Sequence, residues 1–300
     1  MEWRHLEYFR AVVRHGGFSR AAEAIHVAQP TLTKAVQDLE RATGTVLLDR
    51  SRRPPGLTDA GAVVLRYAEE ADRLRRQLDR ELADLADGAG GRLAVGLPPM
   101  VGSSVAADIL ARFHRRYPGI ALALHEVGSK AVEAGILAGE LDVGFAVLPV
   151  REPLRAIPVW DEPLAAVMAA DHPLARREAV SWTDLDGQPL LLYREDYALH
   201  DRIREECRRQ GVTVAVVGQS SQWDVLGRLA GHGLGLALLP RSLTRRLAPG
   251  AWTVRPLVRP ALHWTLGVVW DAERYQPFAL RRFLATLTAD ATPSPDVPSA

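Results

Sequence analysis

Apolar side chains recur every three to four positions at Trp3, Leu6, Phe9, Val12 and Val13, which lays one stripe along a helix and predicts one over residues 3–14. His15-Gly16-Gly17 ends it, because glycine enters left-handed backbone without strain. Residues 19–26 and 29–43 read as two more helices. Pro30 suits the first turn of the third, where an amide has no intrahelical partner to lose. Gly44 stops that helix, and Leu47–Thr58 reads as a short β-wing around Pro54-Pro55-Gly56. From Asp59 the helical period resumes, with Thr58 as N-cap, and runs to Asp87. That is about 43 Å at ~1.5 Å per residue. Its apolar seam is Ala60, Val64, Tyr67, Ala71, Leu74, Leu78 and Leu85; Glu81 interrupts it and Leu82 covers the gap. A small domain cannot cover so long a seam, so the helix calls for a partner helix. Gly88-Ala89-Gly90-Gly91 follows as a hinge.

Beyond Arg92 strands alternate with helices. Strands are predicted at Leu93–Leu97, Ala121–Glu126, Val143–Val147, Leu164–Ala169, Leu190–Tyr193, Thr213–Val217, Leu234–Leu239 and Trp264–Val269. Helices are predicted at about Ser103–Tyr117, Lys130–Ala138, His200–Gln210 and Trp223–Ala230. This alternation implies a parallel-rich α/β architecture with helices on both faces, long enough for two subdomains. Residues 288–300, poor in apolar side chains and carrying Pro293, Pro295 and Pro298, are expected to be disordered.

Composition adds limits. The apolar share is 47% and the charged share 24%, as in a soluble globular protein. Three hundred residues exceed one ordinary core. No apolar run approaches the ~20 residues of a membrane span. Met1-Glu2-Trp3-Arg4-His5 lacks the basic start and apolar core of an export signal, and with Cys207 as the single cysteine this points to the cytoplasm. One cysteine also excludes an intramolecular disulfide switch. Net charge is only +1, but residues 1–58 hold nine Arg/Lys against six Asp/Glu. The basic excess is thus local, with Arg50, Arg52 and Arg53 clustered on the wing.

The chemistry concentrates in residues 18–40. Ala21 and Ala22 are small enough to let two helices cross tightly, while Ile25, Val27, Leu32, Val36 and Leu39 take buried places between them. Gln29, Thr31, Thr33, Lys34, Gln37 and Asp38 stay outward, a hydrogen-bonding face suited to base edges in the major groove. Ser19, Arg20 and Pro30 flank that face. Arg50, Arg52 and Arg53 can reach phosphates or a narrow minor groove from the wing. The ordinary alternative is a solvated helical hairpin beside a solvated charge cluster. Helix, wing and dimer helix in one order favour a DNA-binding unit.

Leu6-x-x-Phe9, Gly17-Phe18-Ser19, Ala21-Ala22, Val27-Ala28-Gln29-Pro30, Leu39-Glu40, Leu48-Asp49-Arg50 and Leu57-Thr58-Asp59-Ala60-Gly61 together resemble the N-terminal region of LysR-type transcriptional regulators. Ala28 stands where a serine or threonine is usual, which removes a helix-capping hydroxyl worth ~1 kcal/mol. Leu48 replaces a common phenylalanine. Farther on, Arg92-Leu93-x-Val95-Gly96-Leu97-Pro98-Pro99, Phe113-x-x-x-Tyr117-Pro118-Gly119, Gly139-Glu140-Leu141-Asp142-Val143-Gly144, His172-Pro173-Leu174 and Gly233-x-Gly235-x-Ala237-Leu238-Leu239-Pro240 resemble the effector domain of the same family. The resemblance implies an α/β protein with a mainly α winged helix-turn-helix over 1–58 and a linker helix and hinge over 59–91. It also implies a type 2 periplasmic-binding-protein-like effector domain over 92–287. Subdomain I would span about 92–162 and 264–287, and subdomain II about 163–263, with the chain crossing near Glu162-Pro163 and again between Trp252 and His263.

In such a fold the ligand sits at the carboxyl ends of strands, against helix N-termini whose amides favour anions. Candidate contacts are Pro99, Met100, Val101 and Ser103, then Ser129, Tyr193, Tyr197, Ser220, Ser221 and Gln222. Each can equally serve as a cap or turn residue. Met100 stands where many members keep a threonine, which implies a more apolar ligand edge. A small carboxylate is the expected effector. The implied partners are double-stranded operator DNA, the effector, further copies of the chain as a homodimer and homotetramer, and RNA polymerase, with no membrane.

Enzymatic readings find no support in the sequence. Gly218-Gln219-Ser220-Ser221-Gln222 lacks the second glycine of a nucleophile elbow. Gly231-x-Gly233-x-Gly235 leads into a strand, unlike a dinucleotide fingerprint. The nine histidines show no metal-ligand spacing, so neither a cofactor nor a metal is expected. A solute-binding module or an enzyme with an appended DNA-binding domain are the rival readings.

Overall fold

The computed structural model describes residues 2–52, 54–87, 91–99, 105–247 and 250–289. The chain forms two compact units, Met1–Leu82 and Ala83–Ala300.

In the first unit α1 (Trp3–Arg14), α2 (Phe18–Ala24) and α3 (Gln29–Thr43) enclose one core of Phe9, Val12, Ala21, Leu32, Val36 and Leu39. At seven residues α2 is far too short to persist alone, so burial holds it. Each fully buried Leu or Phe of that core contributes roughly 1.5–3 kcal/mol. The buried alanines Ala21 and Ala22 belong to this core and allow α2 to cross close. Gly44 ends α3 at φ 69°. The wing is β1 (Leu48–Asp49) paired antiparallel with β2 (Gly56–Leu57). Thr58 donates to the Val46 carbonyl at 2.7 Å and accepts the Gly61 amide at 2.9 Å, capping α4 (Asp59–Asp87). A Cβ on Gly61 would lie 2.1 Å from the Leu47 carbonyl oxygen, so only glycine lets α4 start so close to the wing.

The seam of α4 divides, which the periodicity alone does not reveal. Ala60, Val64 and Leu65 pack on the helix-turn-helix core and Ala68 is fully buried. Val63, Tyr67, Leu74, Leu78 and Leu82 remain exposed. Ala60 and Val64 therefore serve their own domain. The side chain of Leu85 and residues 88–90 of the expected hinge lie outside the described residues. Gly91 belongs to a strand.

In the second unit two sheets share one strand. The first has the order β4 (Ile120–Glu126), β3 (Gly91–Leu97), β5 (Val143–Val147), β12 (His263–Asp271), β6 (Leu154–Ala169). β3 runs parallel to β4 and β5, whereas β12 runs antiparallel to β5 and β6. On this lobe α5 (Val105–Arg116) meets the C-terminal helix α10 (Phe278–Ala289), with the Phe113 and Phe283 rings edge-on at 5.2 Å. In a second cluster, α6 (Ser129–Ala138) packs Val132 and Ile136 with Leu141 and Ala146. The second lobe orders the far half of β6, then β10 (Leu236–Pro240), β8 (Pro189–Tyr193) and β9 (Ala215–Ser220). β11 (Trp252–Val258) also pairs with β6 and with the two-residue β7 (Val180–Ser181). Helices α7 (Ala198–Arg209), α8 (Trp223–Gly231) and the short α9 (Arg241–Thr244) complete it.

β6 is 16 residues long and belongs to both lobes. Through Pro163 it pairs with β12, and from Leu164 it pairs with β10 and β11. The Leu164 amide donates to the Leu262 carbonyl at 2.8 Å where the chain returns. Two adjacent strands thus connect the lobes. The sequence pattern shows only Leu164–Ala169 of this strand, because Pro158, Asp161, Glu162 and Pro163 break the alternation. β11 carries too few regular apolar positions to stand out, whereas α10 does space Leu280, Phe283, Leu284 and Leu287 as a helix requires, a period that sequence reasoning missed. Thr288 and Ala289 still belong to α10; the remainder of the expected disordered tail lies outside the described residues.

Candidate DNA interface and effector cleft

On α3 the side chains of Gln29, Pro30, Thr31, Lys34 and Gln37 are exposed, while Thr33 and Asp38 are half-buried. The Ser19 hydroxyl donates to the Gln29 side-chain oxygen at 3.2 Å, which joins the start of α2 to the start of α3. Thr33 spends its hydroxyl on the Gln29 carbonyl at 3.1 Å. Asp38 accepts from Arg41 at 2.7 Å and so covers the C-terminal side of the face. Ala28 is the N-cap of α3 and supplies no side-chain bond; Pro30 carries no amide hydrogen, and the Thr31 amide donates to the Ala28 carbonyl at 2.9 Å.

The wing arginines differ from one another. Arg50 donates to Glu40 at 2.8 Å and lies over the Phe18 ring at 5.6 Å. Glu40 also accepts the Leu47 and Leu48 amides, at 3.0 and 3.3 Å. Arg50 therefore ties the wing to α3, a structural duty that its sequence position does not announce. Arg52 is exposed, 3.2 Å from Asp49. Bonds from the Ser51 hydroxyl and amide, with Arg52 adding to them, hold the Asp49 carboxyl below its ordinary value. Arg20 turns back to the Gly16 carbonyl at 2.8 Å. Arg53 lies outside the described residues.

In the second unit the two lobes meet where strands end and helices begin. Gly128 approaches the opposite lobe so closely that a Cβ would lie 2.9 Å from the Asp196 carbonyl oxygen and 3.6 Å from the Tyr197 ring. Lys130 crosses to the Glu195 carbonyl at 2.5 Å and the Asp201 carboxylate at 2.6 Å. Arg202 crosses the other way to the Leu148 carbonyl at 3.0 Å. Ser129, the first residue of α6, is only 2% exposed. Tyr193 and Tyr197 stack at 6.3 Å between centroids, and Tyr197 shares a side-chain bond with Ser221. The caps of α6, α7 and α8, namely Gly128, Tyr197 and Gln222, make no side-chain capping bond. Burial raises the phenol pKa of Tyr193; in Tyr197, burial and then the Asp196 charge do the same. Both therefore stay neutral.

Ser129, Tyr193, Tyr197 and Ser221 are thus gathered around one junction. Ser220 instead accepts the Gln222 amide at 3.0 Å within its own turn, and Pro99 is exposed at the end of β3. Met100, Val101 and Ser103 lie outside the described residues. Sequence reasoning missed Lys130, Asp201 and Arg202, since nothing in a single charged side chain marks the opposite lobe as its partner. It also missed Asp161 on the crossing strands. Burial would raise the Asp161 pKa, but its bonds with Thr265 at 2.5 Å and His263 at 2.7 Å prevail and hold it below the ordinary value. Among the described residues no cluster of three metal-ligating side chains occurs, and no helix is long and apolar enough to cross a membrane.

A winged helix-turn-helix followed by an α/β domain of two lobes that touch through Gly128, Lys130 and Arg202 is the build of a ligand-responsive DNA-binding regulator. Residues 3–62 match the family model for the bacterial regulatory helix-turn-helix protein of the lysR family, and residues 86–292 match the LysR substrate binding domain. The chain belongs to the LysR family of transcriptional regulators. It carries a DNA-binding helix-turn-helix and an effector-binding domain. It is 36% identical over 285 residues to the HTH-type transcriptional regulator YwbI of Bacillus subtilis, covering 95% of each chain. To the dual regulator OxyR of Escherichia coli it is 30% identical over 273 residues, covering 90% of this chain and 89% of that one. The crystal structure of CbnR, a LysR family regulator, superposes with a TM-score of 0.68 at 23% identity, covering 98% of this chain and 100% of CbnR.

Proposed function

We propose that this regulator reads its operator through α3 and responds to a small carboxylate held between the lobes of its effector domain. Gln29, Thr31, Lys34 and Gln37 would meet base edges, because they are the exposed polar side chains on the first turns of α3. Ser19, Arg20, Pro30, Thr33 and the wing residues Arg52 and Arg53 would hold phosphates and register, with Arg50 bracing the wing. The winged helix-turn-helix would be residues 1–58, the linker helix and hinge 59–91, and the effector domain 92–287. Two chains would pair along the exposed α4 seam and present two recognition helices to pseudo-palindromic half-sites about one helical turn apart. Pairs of such dimers would form the tetramer, and bound regulator would contact RNA polymerase. The protein would work in the cytoplasm, where the DNA is, and without catalysis of its own.

One observation carries the effector reading: Ser129 is buried at an uncapped helix N-terminus, directly beside the lobe junction and the Tyr193–Tyr197 pair. Open amides there favour an anion, and the neutral phenols favour a flat apolar body. Pro99, Met100, Val101, Ser103, Ser220 and Ser221 would line the remainder. The effector acts by linkage, stabilising whichever arrangement of the oligomer binds it more tightly.

Several relatives bear the name hydrogen peroxide-inducible genes activator. A thiol sensor of peroxide needs an exposed, low-pKa thiolate. Here the single cysteine, Cys207, is buried, and burial raises its pKa. Ligand binding is therefore the better reading. Calorimetric titration of the full-length protein with a panel of small carboxylates tests it: saturable heat that Ser129→Val abolishes supports the site. A panel that binds wild type and Ser129→Val alike contradicts it.

A further inference from the structure

The side of α4 turned to its own domain ends on a charge. Gly61, Leu65, Ala68 and Asp72 follow one another at four- and three-residue steps, so they share one face of the helix. The exposed apolar residues Val63, Tyr67, Leu74, Leu78 and Leu82 centre about 130° farther around the axis, at ~100° per residue. Asp72 is 5% exposed. Its carboxylate lies 2.6 Å from Arg10 of α1, 2.6 Å from Arg76 and, through the other oxygen, 3.7 Å from Arg75. Arg75 in turn stands 5.7 Å from the centre of the Trp3 ring, also on α1.

A buried ion pair is a poor choice for stability alone. Desolvating the charges offsets most of their attraction, and a well-packed apolar contact serves as well. What a carboxylate held by guanidinium groups adds is direction, because its hydrogen bonds fix angle as well as distance. The apolar contacts at Leu65 and Ala68 tolerate a small rocking of α1 over α4. The Arg10–Asp72 bond does not.

We propose that Asp72 is a positioning residue that sets the angle between the helix-turn-helix and α4, and thereby the half-site spacing the dimer accepts. This rests on the α4-paired dimer put forward above. The leverage is large. A recognition helix on the order of 20 Å from the α4 axis moves about 3.5 Å for a 10° tilt. That is one base-pair rise, ~3.4 Å along the duplex. A dimer that selects spacing must hold this angle within a few degrees.

The test uses full-length protein and duplexes carrying the half-site pair recovered by selection from random DNA, with the spacer lengthened or shortened by one or two base pairs. Wild type should lose about tenfold in affinity per altered base pair. Asp72→Asn should flatten that dependence to about twofold, and Arg10→Gln, which leaves Arg76 on the carboxylate, should do the same. Arg10→Lys should restore much of it. Affinity for an isolated half-site and the far-ultraviolet circular dichroism should stay unchanged in the variants compared. A merely stabilising Asp72 would lower the melting temperature or weaken all spacers alike; retained spacing preference in both Asp72→Asn and Arg10→Gln overturns the proposal. Selection that recovers no preferred DNA from wild type overturns the dimer reading beneath it as well.

Discussion

Lys130 and Asp201, on opposite lobes of the effector domain, stand 2.6 Å apart, and the same ammonium holds the Glu195 carbonyl. Both side chains are at least two-fifths exposed, so solvent screens the pair. Its worth to folding is at most about 1 kcal/mol. Its effect on lobe opening is proportionally greater, since only the junction contacts resist that motion. Lys130→Met should therefore speed amide exchange in residues 194–202 about threefold to tenfold with little change in melting temperature. Unchanged exchange there would show that Gly128 and Arg202 suffice to hold the lobes together.

Glu40 makes one carboxylate serve three partners: the Leu47 and Leu48 amides and the Arg50 guanidinium. Glu40→Gln keeps the shape but removes the charge and weakens all three bonds. Loss of roughly 1–3 kcal/mol is expected in the denaturation of the N-terminal unit. Nonspecific DNA binding should weaken in parallel as the wing loses its anchor. Equal denaturation midpoints for variant and wild type would refute this role for Glu40.

Asp184 sits among the Ser181 amide at 2.8 Å, the Ser181 hydroxyl at 2.6 Å and the Arg177 guanidinium at 2.8 Å. Burial raises its pKa, but these bonds and nearby arginine charge outweigh it and leave the carboxyl below its usual 3.8. Because the folded-state pKa is depressed, the stabilisation is complete above the unfolded-state value of 3.8 and is lost as pH falls through the folded-state pKa. Asp184→Asn should lower the melting temperature at pH 7 and flatten its decline below about pH 4. Melting curves from pH 7 to pH 3 that run parallel for both proteins would contradict the assignment.

Arg52 is the described wing arginine whose side chain is most exposed, and its carboxylate partner Asp49 lies on the same wing. Arg52→Ala should weaken binding to operator and random DNA alike and reduce the slope of log affinity against log salt by about one. A slope identical to wild type would remove Arg52 from the phosphate contacts.

The first unit was largely legible in the chain because its helices satisfy local rules. Thr58 caps α4, Gly44 ends α3, and the apolar spacing of α1 matches its buried face. The division of the α4 seam was not legible, because Ala60 and Val64 obey the same period as Tyr67 and Leu74 while facing another neighbour. The role of Arg50 was hidden for a similar reason: a cluster of arginines does not reveal which one has found Glu40. In the effector domain the parallel strands stood out as apolar runs. The near half of β6 did not, since its two prolines and two carboxylates serve the crossing between lobes. Ser129 could be placed by its position before a helix, whereas Lys130, Asp201 and Arg202 act only through contacts made across the cleft.

The central claim is that the exposed start of α3 reads base sequence. Its most direct test is a gel-shift comparison, at one salt concentration, of wild type and Gln29→Ala on a selected operator fragment and on random DNA. Wild type should prefer the operator by roughly a thousandfold or more, and Gln29→Ala should lose about tenfold or more on the operator while binding random DNA as before. If both proteins bind both DNAs with the same preference, α3 does not carry the recognition assigned to it.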